Sequence, residues 1–293
     1  MGRVRNVVAL SIVVFIVGAC APGAPTEVDR VVPYGGIEVI ERLNVKYGPA
    51  PTVFNLLDLW RPADAPMAPV VLFVHGGFWA QDLSGARPIP KSVKDLLLHG
   101  FSVATMSYRG VNDGAGNVVH PASIHDVKRA VAYLHGLGLD VHLMGFSAGG
   151  HLAAMAAMTF GNTAMTPAGI TESRVESLVS AAGPTDLPAL WAINDGSTFI
   201  RQTTLKEYVC GGGPCGVDAT MSPRGHVSAD DPPALLIYSS GDELVPLSQG
   251  ATLEDDLDAA GVEATLSTRT TDHDGVQQQL PTAELDAWFT AHP

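Results

Sequence analysis

Val141-His142-Leu143-Met144-Gly145-Phe146-Ser147-Ala148-Gly149-Gly150-His151 is the stretch from which the rest of the chain is read. Val141–Gly145 has the apolar character of a short buried strand. Ala148–Met158 is a run of small residues that suits a helix. Between them lies Gly145-Phe146-Ser147-Ala148-Gly149, a G-x-S-x-G motif in the strand–turn–helix setting that the motif requires. The flanking glycines let the chain turn sharply, so that Ser147 stands out from the edge of a sheet. The helix behind it aims N–H groups and the positive end of its dipole at charge developing on an acyl oxygen. Ser147 is thus the candidate nucleophile and the N–H of Ala148 a candidate oxyanion donor. The bland alternative is a tight turn that holds a structural serine.

Outward from this stretch, strands and helices alternate. Glu38–Val45 and Val53–Trp60 read as an opening pair of strands. Pro69–His75 (PVVLFVH) is a continuous apolar run, as expected of a strand buried on both faces. Ile89–His99 is expected to be helical, Phe101–Tyr108 a strand, and Pro121–Leu137 an amphipathic helix with Ile124, Val127, Val131 and Leu134 on one face. Glu176–Ala182, Ala234–Ser240 and Val262–Arg269 read as further strands. Leu247–Ala260 and Gly275–Ala291 read as helices. Such alternation implies a mostly parallel sheet with helices on both faces. Residues 185–231, rich in Gly and Pro, break the rhythm. They hold Trp191, Phe199 and Tyr208, and are expected to form a lid-like insertion over the carboxyl edge of the sheet.

His75-Gly76-Gly77-Phe78-Trp79 follows the PVVLFVH strand. Its glycines let backbone N–H groups approach a substrate closely, so Gly76, Gly77 and Phe78 join Ala148 as candidate oxyanion donors. Folds with this serine elbow order their catalytic groups as nucleophile, acid, histidine. His75 precedes Ser147 and is read as an organiser of its loop. His273 and His292 follow the later acids. His292 is the penultimate residue, expected to fray, which leaves His273, between the last strand and the last helix, as the base. Asp242, directly after the Ala234–Ser240 strand, is the candidate acid. Asp186 is its rival and Glu243 a one-residue misregistration. The other histidines are read as solvent-facing or satisfied in the core.

Several of these pieces together resemble the esterase/lipase branch of the α/β-hydrolases, near hormone-sensitive-lipase-like and kynurenine formamidase-like enzymes. Tyr47-Gly48-Pro49 with Leu56-Leu57-Asp58-Leu59-Trp60-Arg61-Pro62 is similar to that family's opening hairpin, and His75-Gly76-Gly77-Phe78-Trp79 to its HGGxW segment. Tyr108-Arg109, Pro121, His125-Asp126-Val127, the elbow through His151, and Asp242 with Val245-Pro246 match further pieces. The chain departs from the pattern at Tyr238-Ser239, where the family often has His-Gly, and at His273-Asp274, where its last motif is usually His-Gly. The resemblance implies an α/β-hydrolase fold over residues 37–293.

The N-terminus reads as an export signal. Arg3 and Arg5 precede an apolar stretch from Val7 to Ala19. As a helix that stretch would span about 20 Å, short of the ~30 Å hydrocarbon core of a bilayer. Val17-Gly18-Ala19-Cys20 resembles a bacterial lipobox, with Val17 where Leu is commonest. Residues 1–19 are accordingly expected to be cleaved, Cys20 to be lipidated, and residues 20–36 to form a tether. A diacylated Cys20 would anchor the chain durably to a membrane, facing away from the cytoplasm. In that compartment Cys210 and Cys215 would form a disulfide, the alternative being two free thiols. The formal charge of −13 becomes −15 once residues 1–19, with two arginines and no acid, are removed. So acidic a surface disfavours nucleic acid as a partner. The expected activity is hydrolysis of a small carboxylic ester through an acyl-enzyme, with no metal or other cofactor. An arylformamidase-type amide hydrolase is the alternative within enzymes, and a catalytically silent ligand-binding lipoprotein the alternative outside them.

Overall fold

The computed structural model describes residues 28–50, 54–80, 87–111, 119–193, 205–211 and 216–293. Residues 1–19, Cys20 and Cys215 lie outside them. Nine strands are described: β1 (Arg30–Tyr34), β2 (Ile37–Lys46), β3 (Leu56–Pro62), β4 (Val70–Val74), β5 (Ser102–Met106), β6 (Val141–Phe146), β7 (Ser177–Ala181), β8 (Ala234–Ser239) and β9 (Ala264–Arg269). They form one sheet in the order β1-β2-β3-β5-β4-β6-β7-β8-β9. Pairing is antiparallel from β1 through β3 to β5 and parallel from there to β9.

Every residue of β4 is buried, as its unbroken apolar run demands. Side chains alternate between the two faces of a strand. Val70, Leu72 and Val74 therefore enter one core, and Val71 and Phe73 the other. On the first face lie α2 (Ala122–Gly136), α3 (Ala148–Met158) and, after the short α4 (Leu187–Ala192) and α5 (Lys206–Cys210), α6 (Leu247–Ala260). On the second lie α1 (Lys91–Lys94), α7 (His273–Gln278) and α8 (Thr282–Ala291). Ile124, Val127, Val131 and Leu134 are the buried stripe of α2. Arg109, just past β5, ties α2 down: its guanidinium reaches both oxygens of buried Asp126, at 2.8 and 2.7 Å. No helix among the described residues is long and apolar enough to cross a membrane.

Four local expectations change. Arg30–Tyr34, read as tether, pairs antiparallel with Ile37–Glu41 as the edge strand; its alternation is too short to stand out without its partner. The second opening strand begins at Leu56 instead of Val53, which lies outside the described residues. The helix expected over Ile89–His99 is one α-turn followed by a 3₁₀ turn over Asp95–His99. The last helix is two, α7 and α8, separated at Leu280-Pro281. Proline cannot donate an N–H and so opens a new helix more readily than it continues an old one.

Within the insertion, Leu187, Leu190, Leu205, Tyr208 and Val209 pack into the first core. Arg224 pins its later part, pairing with Asp186 at 2.8 Å and with Asp256 of α6 at 2.5 Å.

Candidate active site

Strand order reverses between β4 and β6: from β4 the chain crosses to β5 on one side and then to β6 on the other. Crevices at the carboxyl ends of strands flanking such a reversal are where open α/β sheets bind ligands. β4 delivers His75-Gly76-Gly77 to this crevice and β6 delivers Ser147. The elbow is as tight as its glycines imply. A Cβ on Gly149 would stand 2.1 Å from the Val74 carbonyl oxygen, and one on Gly145 would stand 2.1 Å from that of Gly149. Ser147 is left-handed, with φ 54° and ψ −124°, and is secured by its N–H donating to Ala181 O at 2.8 Å. A non-glycine residue in such a conformation is strained, and strain of this kind collects at functional sites.

The loops after β8 and β9 bring the other two candidates. His273 Nε2 lies 2.8 Å from Ser147 Oγ, and His273 Nδ1 lies 2.7 Å from Asp242 Oδ2. All three residues are buried, between 6 and 7% exposed. Asp242 Oδ1 accepts the N–H groups of Leu244 and Val245 at 2.8 and 2.9 Å, so the carboxylate cannot swing away. His273 opens α7, whose N-cap Asp272 accepts the Gly275 N–H at 2.9 Å. The rival acid is elsewhere: Asp186 caps α4 through the Ala189 N–H and pairs with Arg224. Glu243 is exposed. His292 packs on Trp288, ring centroids 4.1 Å apart.

Ser147 borders a small pocket that is partly open to solvent. Ser147 and His273 share its wall with Phe78, Trp79, Ala148, Pro184, Leu190, Leu205, Leu244 and Val245, so every other lining residue is apolar. Phe78 and Ala148, two of the candidate oxyanion donors, thus border the cavity. A Cβ on Gly76 would lie 3.2 Å from that of Ser147, and the Gly77 carbonyl accepts the Ala80 N–H at 2.9 Å. Among the described residues no cluster of three or more His, Cys, Asp and Glu could hold a metal ion.

The family model BD-FAE matches residues 57–257, from β3 through most of α6. The chain belongs to the BD-FAE family, one of the α/β-hydrolase esterase families. Esterase LipC of Mycobacterium tuberculosis is 31% identical over 242 residues, 75% of this chain and 56% of that protein. Kynurenine formamidase avaC of Aspergillus versicolor is 27% identical over 230 residues, 68% of this chain and 79% of that protein. The chain spans about half the length of the curated esterases it matches. Among solved structures, a truncated carbohydrate esterase from gut microbiota superposes with a TM-score of 0.68 at 26% identity, covering 86% of this chain and 95% of that one.

Two features of this BD-FAE domain escape a reading by motif. Ser239, at a departure from the family pattern, joins the acid loop to the histidine loop: its hydroxyl donates to Thr271 O at 2.6 Å and accepts the Thr271 N–H at 2.8 Å. The departure itself was the signal. The histidines are also less satisfied than expected. Nε2 of His75, Nε2 of His142 and both ring nitrogens of His120 are buried without a hydrogen-bond partner. His75 stacks on Tyr108, whose hydroxyl donates to His75 O at 2.9 Å. Burial holds the His75 imidazole down to about 4, neutral at ordinary pH.

Proposed function

We propose that this chain is a serine hydrolase that cleaves small carboxylic esters through an acyl-enzyme. The observation that carries the reading is the chain of contacts from Asp242 through His273 to Ser147, at 2.7 and 2.8 Å. With Asp242 accepting from Nδ1–H, the imidazole lone pair stays on Nε2, facing the serine. Ser147 Oγ attacks the ester carbonyl as His273 takes its proton. The N–H of Ala148, with those of Gly77 and Phe78 or of Gly76, receives the developing oxyanion. His273 then protonates the leaving alcohol. Water, deprotonated by the same imidazole, releases the acid from Ser147. The uncharged wall of the cavity favours an uncharged acyl group.

The match to a formamidase supports a second reading, hydrolysis of an N-formyl aryl amide at the same serine. Export and anchoring belong to the proposal too: cleavage before Cys20, lipid on Cys20, and a Cys210–Cys215 disulfide in an oxidising compartment.

The test is turnover of p-nitrophenyl esters from acetate to long chains, beside an N-formyl anilide, with labelling by a fluorophosphonate. Short esters should be preferred and the wild-type chain labelled. Ser147→Ala should lose both label and turnover, by at least about 10⁴-fold, with the fold intact. Turnover near wild type in a clean Ser147→Ala preparation would remove the nucleophile. An unlabelled, inactive wild type would leave a ligand-binding scaffold.

A further inference from the structure

Phe78 and Trp79 are consecutive non-glycine residues with φ of 55° and 57°. Left-handed conformations crowd a side chain against its own backbone, so a pair of them persists only where the surroundings hold it. The backbone is fastened beyond the pair: the Val111 N–H donates to Trp79 O at 2.8 Å. The Ala80 N–H donating to Gly77 O at 2.9 Å closes the turn around the pair, and a side-chain fastening is the indole. Trp79 Nε1–H donates to His151 Nδ1 at 3.0 Å, the two rings meeting edge to face at 5.3 Å and 84°. On another side the indole stacks on Tyr208, centroids 5.2 Å apart.

His151 is completely buried and follows Ser147 by one turn of α3. An indole N–H can only donate, so His151 Nδ1 must be the bare nitrogen. The ring proton is therefore on Nε2, where it donates to Met221 O at 2.9 Å. Both nitrogens are occupied and the tautomer is determined by its partners. Protonation would cost the ring its only acceptor, and burial opposes it, holding the imidazole down to about 3. The reaction proposed above has no use for this histidine, since both of its nitrogens are engaged, by Trp79 and by Met221.

We infer that His151 is a positioning residue: its Nδ1 holds the Trp79 indole, and through Trp79 keeps the left-handed Phe78–Trp79 segment where the Gly76–Trp79 loop can donate to an oxyanion beside Ser147. The inference rests on the acyl-transfer reading. It also gives the insertion a part in the chemistry, because Met221 holds the far side of the same ring.

Four variants test it. His151→Leu removes both bonds. His151→Asn puts an acceptor, Oδ1, where Nδ1 was. Trp79→Phe keeps a ring on Tyr208 but loses the N–H. The fourth combines Trp79→Phe with His151→Leu. Short-ester kinetics should show kcat down about tenfold to a hundredfold in His151→Leu, with KM moved less than about threefold, since a displaced donor weakens the transition state more than the ground state. His151→Asn should recover most of that loss. Trp79→Phe should match His151→Leu in kcat, and the double variant should fall no further than either single, since the Trp79–His151 bond is the one that all three lose. Losses that multiply in the double variant, an effect confined to KM, or kcat within twofold of wild type in both single variants would overturn the inference. If His151→Leu does not fold, Trp79→Phe against His151→Asn decides by the same kcat criterion. A wild type that neither turns over esters nor takes up a fluorophosphonate overturns the underlying function instead. An active wild type whose variants equal it overturns the positioning role alone.

Discussion

Asp186 and Asp242 both follow strands of the parallel sheet, and their surroundings give them different work. Asp242 has one oxygen on the His273 imidazole and the other on two backbone N–H groups. Asp186 caps a helix and pairs with a partly exposed arginine. Asp242→Asn should keep the fold and lower kcat by about 10³–10⁴-fold, because an amide favours the wrong imidazole tautomer. Asp186→Asn should leave kcat within a few-fold. It can still cap α4, and a semi-exposed ion pair contributes at most about 1 kcal/mol. Ester kinetics and thermal melts run in parallel on both variants check this, and a crippled Asp186→Asn would transfer the acid's role. The elbow at Ser147 was legible because its motif is local. That Asp186 is engaged elsewhere was not, since Arg224 is 38 residues away in sequence.

At the scale of elements, the motif glycines did what their spacing predicts. Gly149 lets α3 pass against the end of β4, and Gly145 lets the turn close on itself. Pro281 illustrates the opposite case: a visible breaker inside a stretch read as one helix, where apolar periodicity continues on either side and conceals the break. The insertion carries α5, whose last residue is Cys210. The proposed bridge to Cys215 would close a loop of few residues at the end of that helix. Its chain-entropy contribution is modest, on the order of 2 kcal/mol. Exported protein, denatured without reductant, should therefore show no titratable thiol at these positions and gain two on reduction. Two thiols before reduction would exclude the bridge.

The whole molecule should be acid-sensitive for an identifiable reason. His75, His142 and His151 are buried, and burial holds them down to about 4, 4 and 3. Unfolded, each takes a proton near the ordinary value of about 6.5. Between about pH 6.5 and 4 the unfolded chain thus binds more protons than the folded one, so stability is full above that window and is lost as pH falls through it. Each histidine contributes a slope of about 1.4 kcal/mol per pH unit where it is charged only in the unfolded state. Urea unfolding from pH 7.5 to 4.5 should show the decline, and His142→Leu should make it shallower by about one proton. Stability independent of pH over that range would contradict the assignment. The proposed anchor acts at the same scale: Cys20→Ala should move the protein from the membrane fraction to the soluble one. An unchanged membrane fraction would point to an uncleaved hydrophobic segment.

By itself the sequence determined whatever depends on near neighbours along the chain. The elbow at Ser147, the doubly buried β4 and the amphipathic α2 need only a local pattern, because strand and helix periods are written into successive residues. Chain order was enough to single out His273 and Asp242 as candidates to meet Ser147, since the direction of a parallel sheet brings successive strand ends to one edge. Tertiary structure alone decided which groups touch. Ser239 joining the acid and histidine loops, Arg224 claiming Asp186, and Trp79 resting on His151 are contacts between residues 32, 38 and 72 positions apart. Nothing local encodes a hydrogen bond across such a separation; it exists once the sheet has set both partners at its carboxyl edge.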